Sequence, residues 1–280
     1  MDPLWQWITG EDGVRALSFP FLERLGGVRA LFTSRHRGVS RVVPGGLNLV
    51  AVAGEDPGAV AENRRRALAL IGSTPDRAVI AGLVHGREVA RVDGPPPPDS
   101  QGVRAVPGVD GLVTATPDLT LVVTAADCVP IYLYDPHVPA VGLLHAGWRG
   151  TAAGIARAGV ERLVAGYGSR PERIWAVIGP AIGPCCYEVD EPVRAAIAAA
   201  PGFRPGWLRP GRRPDRWQLD LWQANRDQLV AAGVPAEQIG VAGICTACQR
   251  ADFFSHRGEG GRTGRQAALI RLVGGGRHAG

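Results

Sequence analysis

Between residues 111 and 146 the chain carries four short apolar runs in quick succession: GLVTAT (111–116), LTLVVTA (119–125), VPIYLYD (129–135) and AVGLLHA (140–146). Each is apolar on both faces and bounded by turn-forming residues, which is the pattern of a strand buried on both sides. Such strands need cover above and below, so this stretch demands a layered fold with a real core.

The flanking sequence supplies candidate covering elements. VRALFTS (28–34) reads as a strand, followed by the Gly/Pro-punctuated loop RHRGVSRVVPGGLN. Residues 56–72 read as a helix that Asp56 caps, with Pro57 in its first turn and Gly72 at its end. Residues 77–93 form two β-like runs hinged at His85-Gly86. The segment 94–108 is expected as a surface loop, because its four consecutive prolines cannot join a central sheet. A helix is expected from about Gly150 to Gly166, with Ile155, Val160, Leu163 and Val164 as its apolar positions. Further strands are expected at 174–179, 239–245 and 267–273, and helices near 190–200 and 218–232. This is a mixed α/β (α+β) chain without an internal repeat. The whole of 1–280 reads as a single domain, with 1–27 as a lead.

Composition removes several function classes. All of the basic residues, 31 in number, are arginines, and they give a formal net charge of +5. They are scattered, the densest group being Arg64, Arg65 and Arg66 on the first helix, and aromatic residues make up only 6%. A nucleic-acid partner would want clustered charge interleaved with aromatics, so none is expected. No apolar run reaches the ~20 residues of a membrane span. The N-terminal stretch lacks a basic leader. The cysteines, five in number, fall into an adjacent pair, a C-x-x-C pair and one single residue. That argues against a disulfide framework and for a reducing, cytoplasmic setting.

Three residues stand at the edges of buried strands: His85 in LVHGRE, Cys128 in TAADCVP and His145 in LLHAGWRG. Two imidazoles and a thiolate suit zinc with a fourth position free, an arrangement that lowers the pKa of water to about 7. Taken singly, His85 is equally a turn residue, His145 a core histidine and Cys128 a small buried hydrophobe. Cys128 and His145 also suit a metal-free nucleophile pair. In HAGWRGTAAGI, Gly147, Arg149 and Gly150 surround an expected helix start, a seat for an anion. Cys185, Cys186, Cys245 and Cys248 offer four thiols, but adjacent cysteines make an awkward zinc half-site. Buried thiols near a pocket wall are the preferred reading. The polar run SHRGEGGRTGRQA (255–267), with Arg257, Arg262 and Arg265, is expected as a surface loop in preference to a mobile lid.

Seven motifs then occur in order: TSRHRGVS…GGLNLV, EDPGAVAENRRR, VHG, TAADCVPIYLYD, AVGLLHAGWRGT, GPAIGPCCYEV and CTAC…DFFSHRGEGGRTGRQAALI. Together they resemble the bacterial laccase-domain family, whose members are labelled polyphenol oxidase or purine nucleoside phosphorylase. The resemblance implies an αββα sandwich of mixed β-sheets with a pocket between the sheets. It implies phosphorolysis of adenosine, inosine, guanosine and methylthioadenosine, and deamination of adenosine. The partners would be purine nucleosides and phosphate. It places the metal ligands at His85, Cys128 and His145, and suggests Asn48 as a ribose or base contact. Arg149 and Arg257 are the candidates to hold phosphate. Asp127, beside Cys128, is the candidate proton shuttle, or else orients a ligand. Three positions depart from the family pattern: Leu83 where glutamine is usual, Ala181 where a cysteine is usual, and Arg257-Gly258 in place of a paired arginine.

Zinc is the expected ion, with copper second. The histidines, six in number, include no His-x-His pair, so multicopper chemistry is not expected. Two other classes stay open: a metal-free Cys–His hydrolase acting on a peptide or amide, and a non-catalytic small-molecule binding protein.

Overall fold

The computed structural model describes residues 3–99 and 102–274. Two mixed β-sheets face each other. The first has seven strands in the order Gln6–Thr9, Arg15–Ser18, Val28–Thr33, Gln266–Leu272, Thr120–Ala125, Ala78–Gly82 and Ala105–Pro107. Its first five strands are antiparallel neighbours, and the last two pairings are parallel. The second has six strands in the order Ile239–Val241, Trp175–Ile178, Val129–Asp135, Ala140–Ala146, Gly111–Thr114 and Val89–Arg91. Its two outermost pairings are parallel and the inner three antiparallel.

Alternation along the strands explains why they are apolar on both faces. In Val129–Asp135, Tyr132 and Tyr134 join Phe19, Phe32, Leu121, Val123 and Ile270 in the layer between the sheets. Ile131 and Leu133 point the other way, onto Ile155, Val160 and Leu163 of the helix Ile155–Tyr167 and Leu229 of the helix Leu221–Ala231. On the outer face of the first sheet, Leu31, Val122 and Leu269 meet Ala67, Leu68 and Ile71 of the helix Pro57–Leu70 and its C-cap. The layers are therefore helix, sheet, sheet, helix, as the motif resemblance implied. Tyr132 and Tyr134 keep their hydroxyls paired inside the sandwich, donating to the carbonyls of Leu31 (2.8 Å) and Gly26 (2.7 Å).

Most expected elements are present, and the differences have local causes. The helix expected from Gly150 to Gly166 is two helices, Trp148–Ala153 and Ile155–Tyr167, broken where Gly154 takes φ +84°. The four quick strand runs do not make one meander: Thr120–Ala125 lies in the sheet opposite its neighbours. The two runs hinged at His85-Gly86 likewise belong to different sheets. The lead 1–27 contains a hairpin, Gln6–Thr9 with Arg15–Ser18, and a helical turn, Pro20–Glu23. The proline segment 94–108 ends in the edge strand Ala105–Pro107, a position where a missing N–H is readily tolerated; its residues 100–101 lie outside the described ones. Short strands Glu188–Val189, Trp217–Leu219 and Leu208–Pro210 form a third, antiparallel sheet. Among the described residues, no helix is long and apolar enough to cross a membrane.

Candidate metal centre and its cavity

The chain changes sheets at two places that matter. After Ala78–Gly82 it crosses through residues 83–88 to Val89–Arg91, and after Thr120–Ala125 through 126–128 to Val129–Asp135. His85 sits on the first crossing and Cys128 ends the second. His145 is the penultimate residue of Ala140–Ala146, whose partner at that point, Pro130, follows Cys128 by two residues. Strand pairing thus brings together residues that are 43 and 17 positions apart. One ligand atom from each of His85, Cys128 and His145 lies within 4.8 Å of the other two. The two imidazole rings meet edge to face, with centroids 5.0 Å apart.

Both crossings hold a non-glycine residue at positive φ: His85 at 60° and Asp127 at 89°. Such backbone persists only where neighbours over-determine it. At His85 the neighbour is Asp110, a buried residue just before the strand Gly111–Thr114. Its carboxylate accepts from the backbone N–H groups of Val84 (3.2 Å), His85 (2.9 Å) and Gly86 (2.6 Å). The same carboxylate lies 3.0 Å from His145 Nδ1. One buried acid therefore sets the His85 turn and the His145 ring together, leaving Nε2 of His145 to face Cys128. Sequence reasoning missed Asp110, because nothing in PGVDGLV marks an aspartate whose partners are 24 to 35 residues away.

Charge at the centre is shared. Burial works to raise the Cys128 thiol, but the His145 and His85 imidazoles outweigh it and hold the group at about 6. Burial works against a charged His145, yet Cys128 and Asp110 raise it to about 9. Burial also opposes ionisation of Asp110, and its His145 and backbone hydrogen bonds still keep it below the usual range. Without a metal the pairing favours a thiolate beside an imidazolium, the state a nucleophile requires, whereas a bound metal would take the place of the His145 proton. Gly147 leaves room for the cluster: a Cβ would lie 3.1 Å from Cys128 Sγ and 3.4 Å from the His85 ring, tighter than ordinary contact. The donor set of two imidazoles and one thiol suits a borderline-soft divalent cation such as zinc, with its remaining position facing the cavity.

That cavity encloses about 610 Å³, within the usual range for small-molecule sites. Besides the three clustered residues, Arg149, Tyr187, His256, Arg257 and Arg265 line it. Arg257 lies over the Tyr187 ring (5.0 Å to the centroid) and donates to the Glu188 carbonyl (2.7 Å). Arg149 lies over Trp148 (4.3 Å). Asp127 lines the cavity, but its two oxygens are engaged, accepting from Thr246 Oγ1 (2.7 Å) and from the backbone N–H of Arg257 (2.6 Å). It positions Arg257; it does not orient a clustered ligand.

Asn48 is a correction. It is fully buried and absent from the cavity wall, donating to Val50 O and Glu55 and accepting from the backbone N–H of Arg265 (3.0 Å). It supports the wall and touches no cavity space. The segment 255–267 is a surface loop, as expected, but a tethered one. Glu259 ties it down, accepting from Ser255 N (3.1 Å) and Thr263 Oγ1 (2.5 Å) and pairing with Arg35 at 2.9 Å. Arg265 and His256 consequently face the cavity, a placement their polar, Gly-rich context did not signal. The short helix Trp148–Ala153 carries Arg149 in its first turn, on the cavity wall. The other cysteines are all free: Cys185 and Cys248 are exposed, Cys186 is half-buried, and Cys245 alone is buried. Their expectation as buried thiols therefore holds for one of four.

A four-layer αββα sandwich with a two-histidine, one-cysteine cluster at its sheet crossings defines the class. The comparisons then place it. Residues 29–273 match the family described as multi-copper polyphenol oxidoreductase laccase. The chain is 42% identical to purine nucleoside phosphorylase YlmD of Geobacillus stearothermophilus over 252 residues, covering 87% of this chain and 90% of that protein. It is 35% identical to purine nucleoside phosphorylase YfiH of Escherichia coli, covering 88% and 95%. Among solved structures, YlmD from Geobacillus stearothermophilus superposes with a TM-score of 0.83 at 36% identity, covering 98% of this chain and all of that one. The Bacillus licheniformis YfiH structure gives 0.83 at 35%, covering 92% and 96%. The chain belongs to this laccase-like family.

Proposed function

We propose that this chain is a metal-dependent purine nucleoside phosphorylase, with zinc as its ion and a secondary adenosine deaminase activity. The observation that carries this reading is the joining of the His85, Cys128 and His145 donors with Arg149, Arg257 and Arg265 on one cavity. Relatives at 35–42% identity carry the phosphorylase name, which supports it. His85, Cys128 and His145 would hold zinc, which when bound supplies Lewis acidity and a water of lowered pKa.

The chain's own residues account for the rest. Arg149 and Arg257 would bind phosphate, with Arg265 as a third cation, and each has a side-chain or backbone partner that limits its rotamers. A phosphate oxygen forms a bond to the anomeric carbon as the bond to the purine nitrogen breaks. The products are ribose 1-phosphate and the free base, the leaving nitrogen taking a proton. Tyr187, held under Arg257, offers a flat face for a base or sugar. Asp127 acts by fixing the Arg257 backbone.

A second reading rests on one contact. Asp110, His145 and Cys128 also stand in the order acid, base and thiol of a cysteine hydrolase. Metal content separates the two, since the hydrolase needs none and is silenced by thiol alkylation. Incubation with adenosine or inosine, with and without phosphate, tests the main reading. Free base and ribose 1-phosphate should form only with phosphate, and inosine should form from adenosine without it. Absence of both products overturns the proposal.

A further inference from the structure

Away from the cavity, the segment 183–187 and the turn 245–248 are joined by a second cluster. Cys185 and Cys186 lie on one segment, and Cys245 and Cys248, in CTAC, on the other. A bridge from Ala181 to Cys245 and hydrogen bonds from Ala181 N to Ile244 O and Thr246 N to Ala181 O align the two. All four sulfurs lie within 4.8 Å of one another. Cys248 Sγ is 3.5 Å from Cys185 Sγ and 3.4 Å from Cys186 Sγ. Tetrahedral zinc with Zn–S of about 2.3 Å has sulfur–sulfur edges of ~3.8 Å, so the thiols already stand near that spacing.

Two further features favour a metal over a chance gathering. Backbone N–H groups face the innermost sulfur: Gly183 N donates to Cys245 Sγ at 3.2 Å, the kind of bond that stabilises a thiolate ligand. Arginines stand beside the cluster: Arg212 donates to the Cys185 carbonyl (3.1 Å), and Arg250 shares a surface depression with Cys248. They offset the charge that four thiolates would bring.

We propose that Cys185, Cys186, Cys245 and Cys248 form a four-thiolate zinc site that clasps residues 183–187 to residues 245–248. The adjacency of Cys185 and Cys186 argued against such a site in the sequence; tertiary structure places both sulfurs on one side of the cluster. Binding one Zn²⁺ displaces the four thiol protons to solvent and involves no redox step. With no ligand position left open, the site is structural. It stands behind the cavity wall: Ile182 and Tyr187 flank the cysteine pair and line the cavity, while Thr246, between the other two, holds Asp127.

The test uses the full chain, purified under a thiol reductant, loaded with excess Zn²⁺, desalted and assayed for bound metal. Cys128→Ser, which disables the cavity cluster, should retain one zinc per chain, and adding Cys248→Ser should abolish it. Co²⁺ in the Cys128→Ser chain should show intense thiolate-to-metal charge-transfer absorption. Folded Cys128→Ser chain without bound metal overturns the proposal. So does a mass two hydrogens low for each disulfide formed among these cysteines despite the reductant. If Cys248→Ser fails to fold, the cobalt spectrum of Cys128→Ser alone decides. The outcome is independent of the cavity reading: failure of that reading lowers the native chain to one zinc and leaves this one standing.

Discussion

Cys128 stands between two imidazoles on the wall of a cavity, whereas Cys185, Cys186, Cys245 and Cys248 face chiefly one another behind that wall. Both groups bring soft donors within 4.8 Å, yet their surroundings divide the chemistry. The mixed cluster has three donors, an acid orienting one of them, and space for substrate on its open side. The all-thiol cluster supplies four donors, so an ion bound there has its coordination filled by protein whatever solvent reaches Cys248. Donor count and an open face, more than the presence of cysteine, separate a reactive centre from a clasp.

The largest expected effect probes the open cluster. His145→Ala should lower phosphorolysis at least ~100-fold, beyond the ~10- to 100-fold typical of residues that only orient a ligand. Single-turnover assays with inosine and phosphate measure it, and an unchanged rate would place the chemistry elsewhere. Asp110→Asn comes next. With three backbone donors and His145 Nδ1 depending on that carboxylate, metal affinity or rate should fall ~10- to 100-fold. Zinc affinity by competition with a chromophoric chelator distinguishes this from simple unfolding, which circular dichroism would register.

The clasp is predicted to act on stability before activity. Zinc-loaded native chain should melt higher than zinc-loaded Cys186→Ser chain, since metal bound only by the folded state adds its binding free energy to folding. Equal melting temperatures, by calorimetry, would erase the distinction between the two clusters. The smallest effect concerns the cavity wall at Glu259. Burial raises this carboxylate, but bonds from Thr263, Ser255 N and Arg35 bring it below its ordinary 4.5. A carboxylate depressed on folding contributes stability that is complete above 4.5 and is lost as pH falls through its folded value. Glu259→Gln should therefore cost on the order of 2 kcal/mol at neutral pH and flatten the acid limb of a melting-temperature profile. A limb as steep as the native one would show that another group sets it.

Much of the fold was legible because strand burial writes itself locally. Val129–Asp135 and Ala140–Ala146 match their expected limits, since each residue's environment alternates along a single strand. The helix capped by Asp56 was equally plain, and its side chain does accept from Gly58 N at 3.1 Å. The terminal hairpin and the third sheet were not, because strands of two to four residues carry too little pattern. Which sheet a strand joins was also hidden: Thr120–Ala125 looks like its neighbours, and only pairing with Gln266–Leu272, some 140 residues on, assigns it.

The sequence by itself determined the residue types that can hold a metal, namely two strand-edge histidines, a lone cysteine and two cysteine pairs, together with the apolar runs that demand a covered sheet. Family motifs added which of them to group. Tertiary structure alone decided the rest: that Asp110 and not Asp127 bonds a clustered imidazole, that Asn48 stands behind the cavity and accepts from the Arg265 backbone N–H, and that four thiols converge. The physical reason is common to all. Strand crossings and sheet pairings set distances between residues tens to hundreds of positions apart, and a carboxylate or thiol acquires its role from what it meets there.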